Sequence, residues 1–229
     1  MALSNSGKTF QRCALAACLS LVALTAGCGK DQPSDERMSA VQMQHAAPSV
    51  SIVPVFDRTE NNGVSWNLSD ELTTVLSRKL GQKEKLHVTG SQKVRAATKK
   101  LIGSRDPFSA DLSWMKRIFP EDQFVVFMEL LKHEEVAASS TAPEASPADL
   151  QISMKLRIVD LRADSPRIVL QEIIHDNQHL PKHFNRAHIA QVAWGQDNFH
   201  ISPIGVAHAK LIKELSTRIE DYVLLAARR

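Results

Sequence analysis

Residues 149–161 read D-L-Q-I-S-M-K-L-R-I-V-D-L, in which Leu150, Ile152, Met154, Leu156 and Ile158 alternate with Gln151, Ser153, Lys155 and Arg157. Successive side chains of a strand point to opposite faces, so this period of two predicts a strand with one face on a core and the other in water. The R-A-D-S-P turn at 162–166 leads into Arg167–His175, which reads as its antiparallel partner. A sheet with one apolar face needs its cover on that side, and the rest of the chain must supply it.

Two helices fit that need. In N-L-S-D-E-L-T-T-V-L-S-R-K-L-G, Leu68, Leu72, Val75, Leu76 and Leu80 fall on one face at 3.6-residue spacing. Asn67 suits the cap, Asp70 the first turn, Arg78 and Lys79 the last turn, and Gly81 the stop. At the far end, Ser202 precedes Pro203 at a first helical position, and Ile204, Leu211, Leu215, Ile219 and Tyr222 form a stripe. Between them, Val50–Phe56 reads as a buried strand whose Pro54 favours an edge or a bulge. Lys85–Thr89 is a short strand, Ser91–Ile102 a helix, Ser109 or Asp111 the cap of a short helical stretch reaching Phe119, and Phe124–Val136 a long strand. The expectation is an α+β fold in β-α-β-α-β-β-β-α order, with a mixed, largely antiparallel sheet of about five strands and helices mainly on one face.

The amino-terminal segment has another character. Residues 1–12 carry Lys8 and Arg12 and no acid; residues 13–27, C-A-L-A-A-C-L-S-L-V-A-L-T-A-G, carry no charge. This is the charged, apolar and small-residue succession of an export signal, and it is short for a span of about 20 apolar residues. The three cysteines are Cys13, Cys18 and Cys28, so cleavage before Cys28 leaves one thiol and no intramolecular disulfide. It also lowers the formal net charge from +3 to +1. No basic stripe with interleaved aromatics is present, which argues against a nucleic-acid partner. The division expected is a cleaved signal over 1–27, an anchoring cysteine and tether over 28–49, and one α+β domain over 50–229 with a Pro/Ala/Ser-rich loop at 137–148. The tether can reach about 70 Å when extended.

The string L-T-A-G-C at 24–28 resembles the lipobox of bacterial lipoproteins, although Thr25 stands where that family usually has leucine. The resemblance implies a diacylglyceryl thioether on Cys28, an acylated new amino terminus and a membrane anchor without a spanning helix. Burial contributes about 0.8 kcal/mol per CH₂, and stable retention takes more than one chain. Gly29, where enteric inner-membrane lipoproteins have Asp, favours the outer membrane. Further on, V-S-I-V-P-V-F-D-R-T, S-D-E-L-T-T-V-L-S-R-K-L and K-L-H-V-T (Pro54, Phe56, Asp57, Arg58, Thr59, Leu72, Leu76, Leu80, Val88) resemble an envelope domain. It is the domain of curli-secretion pore lipoproteins, peptidoglycan-synthase activator lipoproteins and the TolB amino-terminal domain. The likeness implies a fold and a protein-binding habit in the periplasm rather than a reaction. The chain as a whole is similar to small chlamydial probable-lipoproteins of unestablished function. It departs from the pore-forming members: the 137–148 insertion carries Pro143 and Pro147 and lacks alternating membrane strands of about 9–11 residues.

Chemistry is sparse. His175, His179, His183 and His188 are dense enough to weigh as metal ligands with Asp176. Pro181 forbids one helix from aligning them, and after a 167–175 strand they would scatter in a loop. Asp57, Glu60 and Asp70 flank one turn, where turn and capping roles suffice, and Ser69 lies in the first turn of a helix. Trp114, Phe119 and Trp194 read as packing residues more than as surface anchors. No nucleotide, hydrolase or cofactor motif is present, so no cofactor is expected. The reading is a lipid-anchored, non-catalytic module that binds another envelope protein or cell-wall component. The alternative is a metal-dependent periplasmic enzyme using the 175–188 histidines.

Overall fold

The computed structural model describes residues 47–59, 63–99, 105–137, 148–181 and 192–229. Cys28, the tether up to residue 46, Glu60, residues 138–147, His183 and His188 lie outside the described residues, as does the end of the helix expected to reach Ile102.

The elements in order are β1 (Ser49–Ile52), β2 (Phe56–Asp57), α1 (Leu68–Gly81), β3 (His87–Val88), α2 (Ser91–Thr98) and α3 (Met115–Ile118). They continue with β4 (Phe124–Ala137), β5 (Ala148–Asp160), β6 (Arg167–Leu180), a 3₁₀ turn (Phe199–Ile201) and α4 (Pro203–Ala227). Five strands lie in the order β3-β1-β4-β5-β6, and β2 joins as a sixth on β4. β1, β2 and β3 pair in parallel, whereas the long β4–β5 and β5–β6 ladders are antiparallel.

Pro54 splits the first strand. Ile52 pairs with Val126 and Phe56 with Glu129, so four steps on one strand oppose three on the other. The extra residue is a bulge, the position where a strand can place a residue without an N–H.

α1 and α4 cover one face of the sheet. Leu68, Leu72, Leu76 and Leu80 of α1 and Ile204, Leu211, Leu215 and Ile219 of α4 pack with Phe124, Val126, Met128, Ile152, Met154 and Leu156. Each such side chain stabilises by about 1.5–3 kcal/mol when fully buried. Asn67 caps α1, accepting from the Asp70 N–H at 3.0 Å, and Ser202 caps α4, accepting from the Gly205 N–H at 3.0 Å. A smaller cluster (Val53, Val94, Trp114, Met115, Phe119, Val125, Phe127) brings α2 and α3 to the opposite face of the same strands. Trp114 and Phe119 are therefore core residues.

Beyond that second cover the face of β4, β5 and β6 is open. Gln151, Ser153 and Lys155 point there, half-buried, beside exposed Ile173, His175, Asn177 and His179. The wet face expected from the alternation is this distal half; nearer the β4 start Arg157 is itself covered.

Candidate functional site

The histidines of 175–188 separate into two groups. β6 runs on to Leu180, five residues past the expected end, because β5 is correspondingly longer and pairs Ala148 with Leu180. His175 and His179 therefore stand on an edge strand rather than in a loop. They are four residues apart, about 13 Å at 3.3 Å per residue. Each faces its own neighbour: His175 Nδ1 lies 2.9 Å from Ser153 Oγ, and His179 Nδ1 lies 3.1 Å from Asp149 Oδ1. Asp176 points to the other face, where its Oδ1 accepts from Lys210 at 2.6 Å. Among the described residues no three His, Cys, Asp or Glu side chains converge as metal ligands.

The carboxylates near the first turn serve structure. Asp57 Oδ1 accepts from the Thr59 N–H at 2.9 Å, and Asp70 pairs with Arg95 at 2.6 Å, linking α1 to α2. Ser69 donates to the Val55 carbonyl at 2.5 Å, tying α1 to the bulged strand.

Sequence reasoning missed a buried polar chain through the helix layer. Trp66 Nε1 donates to Glu71 Oε2 at 2.6 Å; Glu71 Oε1 lies 2.8 Å from His208 Nδ1; His208 Nε2 lies 2.9 Å from His133 Nε2. Glu71, His208 and His133 are each 2% exposed. The first is on α1, the second on α4 and the third on β4. The ring centres of the two histidines are 5.2 Å apart, which places the facing nitrogens in line, as in N–H···N. Phe199 closes one side, with its ring 6.1 Å from His208 and 5.5 Å from Trp66.

A bulge in β4 makes this possible. Phe124, Val126, Met128 and Leu130 face the helix layer, so strict alternation would send Lys132 inward next. The register shifts between Leu130 and Lys132. That extra residue turns Lys132 outward to Gln151, at 2.8 Å, and His133 inward to His208. The available sequence signal was position: Glu71 and His208 both sit on the apolar stripes of their helices, His208 four residues after Ile204 and three before Leu211.

Three further buried charges act as ties. Arg157 donates from its guanidinium to the carbonyls of Pro107, Phe108 and Ser109 at 2.9, 2.7 and 2.6 Å and to Gln171 Oε1 at 2.6 Å, pinning the segment before α3 to the sheet. Burial lowers the Arg157 pKa from the usual guanidinium value, opposed by the charge of Asp106. Glu220 of α4 accepts from Lys83 at 2.6 Å and Lys85 at 2.5 Å. Burial alone would raise the Glu220 carboxyl, but those two hydrogen bonds outweigh it and hold it below its ordinary value. At the end of β5, Asp160 binds Arg162 and Arg167, each at 2.9 Å, and Arg162 also donates to the last carbonyls of α4, at Ala226 and Ala227. Glu71, His133, Arg157, Asp160, His208 and Glu220 thus each bond to a different segment of the chain.

The sheet order and the two-sided helical cover define an α+β domain with a mixed, mostly antiparallel sheet. The chain belongs to a family of unknown function, DUF7499, whose model matches residues 37–227. Its structure is similar to the hypothetical protein CT253 from Chlamydia trachomatis, at 24% identity and a TM-score of 0.61, over 78% of this chain and 98% of that one. It is also similar to protein XCC0632 from Xanthomonas campestris, of family DUF330, at 8% identity and a TM-score of 0.52, over 81% of this chain and 90% of that one. These likenesses show a shared fold. A weaker likeness is to lipoprotein GNA1162 from Neisseria meningitidis, at 13% identity and a TM-score of 0.43, over 76% of this chain and 99% of that one. No curated protein matches the chain.

Proposed function

We propose that the protein is a lipid-anchored component of the bacterial cell envelope that binds another envelope protein or cell-wall component without catalysing a reaction. The observation that carries the non-catalytic part is the use of its buried charges: each is bonded across elements as a tie within the fold. A reactive acid, base or nucleophile must instead face a place where a substrate can sit. The anchor rests on L-T-A-G-C after a charge-free run, with Cys28 the only cysteine left once the segment before it is removed. Gly29, where enteric inner-membrane lipoproteins have Asp, favours the outer membrane over the inner.

The test is fractionation of cells expressing wild type and Cys28→Ala. Wild type should sediment with membranes and enter the detergent phase, while Cys28→Ala should keep its leader or become soluble. A Cys28→Ala protein processed and membrane-bound like wild type contradicts the anchor.

A further inference from the structure

We infer that the free edge of β6 takes up an extended segment of another envelope protein as an added strand, with basic side chains four residues apart seated beside Glu172 and Asp176. The assignment rests on the reading of the protein as a binding module and adds to it a site and the chemistry of the partner. β6 lies at the end of the sheet and, among the described residues, pairs only with β5. From Leu170 to Leu180 it follows β5 without a register shift, so its outer N–H and C=O groups form a straight row. Such a row is a template for another strand, and sheets commonly guard it with Pro or Lys. This stretch, L-Q-E-I-I-H-D-N-Q-H-L, contains neither and leaves Ile173 49% exposed.

Charge selects the occupant. Glu172 and Asp176 project from β6 toward α4, where Arg218 donates to Glu172 at 2.9 Å and Lys210 to Asp176 at 2.6 Å. One oxygen of each carboxylate takes that bond; the other, Glu172 Oε1 or Asp176 Oδ2, is buried with no donor. The Asp176 side chain is only 8% exposed. A buried acceptor left without a donor costs about 1–3 kcal/mol, and more when it is charged. Arg218 is also shared with Glu214, at 3.1 Å. A groove of about 490 Å³ runs along this flank of α4, and its lining includes Lys210, Lys213, Glu214, Arg218 and Asp221. Glu172, Asp176, Glu214 and Asp221 thus stand against Lys210, Lys213 and Arg218, four carboxylates against three cations. Lys210 and Arg218 are 54% and 40% exposed, so they can swing outward to admit a neighbour.

A residue directly opposite on an added strand has its Cβ about 4.5–5.5 Å away, within reach of a Lys or Arg side chain. Glu172 and Asp176 share one face of β6 at a four-residue spacing, so the partner presents its two basic residues at the same spacing.

Hydrogen exchange of the purified full chain, mixed with either of two synthetic peptides, tests this. Both peptides alternate Val and Thr; one carries two Lys four residues apart, the other two Glu at the same places. The Lys peptide should bind and slow exchange at alternate residues between Leu170 and Leu180, those whose N–H points away from β5. The Glu peptide should bind at least about tenfold more weakly, because like charges opposite each other on paired strands are unfavourable. Glu172→Gln combined with Asp176→Asn should remove that preference, and the comparison of the two peptides on wild type stands whether or not the variant folds. Equal affinities, or slowing that avoids β6, overturn the proposal. So does slowing at the same residues without peptide that grows with protein concentration, which makes a second copy the occupant. Binding of neither peptide removes this site but not the anchored module, which fractionation of Cys28→Ala tests separately.

Discussion

Gly205→Ala should destabilise the protein by about 1–3 kcal/mol, although the same change inside a helix ordinarily gains about 1 kcal/mol. Gly205 lies in the first turn of α4, its N–H held by the Ser202 cap. A Cβ there would lie 2.0 Å from the Phe199 carbonyl oxygen and 2.9 Å from its carbon. That carbonyl cannot swing aside, because it accepts both the Ser202 N–H, at 3.0 Å, and the Ser202 hydroxyl, at 2.6 Å. The clash therefore moves backbone, and with it Phe199, which covers Trp66 and His208. A melting temperature lower by about 2–12 °C is expected, at roughly 2–4 °C per kcal/mol for a chain of this size. Gly81 is the internal control: its added Cβ meets nothing within 4 Å, so Gly81→Ala should be neutral or stabilising. A Gly205→Ala protein as stable as wild type contradicts the packing at the start of α4.

Asp160→Asn should cost about 2–3 kcal/mol at pH 7 and should also flatten the acid limb of the stability profile. Burial pushes the Asp160 carboxyl up, but the side-chain and backbone hydrogen bonds of Arg162 and those of Arg167 outweigh it, bringing the pKa down to about 2. The unfolded value lies near 3.9. A depressed folded value means stability that is present above about pH 4 and lost as pH falls toward 2, at about 1.4 kcal/mol per unit of difference. The group is 1% exposed, so little solvent screening reduces this. Its loss should spread to the end of α4, whose last carbonyls depend on Arg162. Denaturant titrations at pH 7 and pH 3 check it: the wild-type advantage should shrink at pH 3. A constant difference between the two proteins would mean that the ion pairs contribute nothing.

Much of the architecture was legible because it rests on local periodicity. The alternation at 150–158 located β5 and its wet face, and the leucine stripe with Asn67 located α1 within a residue. Ser202-Pro203 located the start of α4 for the same reason: a cap is a local requirement of the chain. Boundaries that depend on a partner strand were not legible. The tail of β6 forms because β5 offers it a ladder as far as Ala148, not because residues 176–180 are strand-like. The cover on the second face was missed because α2 and α3 are short and present only Val94, Trp114 and Met115 with their neighbours.

The buried chain was hidden for another reason. Glu71 and His208 are 137 residues apart, and His133 is 75 from His208. No local pattern joins them, and the bulge that turns His133 inward reveals itself only in pairing with β5. A polar residue on an apolar stripe was the one clue. The histidines that drew notice, at 175 and 179, are exposed on an edge strand and bonded to their cross-strand neighbours.

The central claim, that a binding domain is held at a membrane through Cys28, is tested most directly by mass spectrometry of the mature amino terminus. Protein recovered from cell membranes should begin at Cys28, with diacylglycerol on its sulfur and a further acyl chain on its new amino group. A mature chain beginning elsewhere, or one carrying an unmodified Cys28, would contradict the claim.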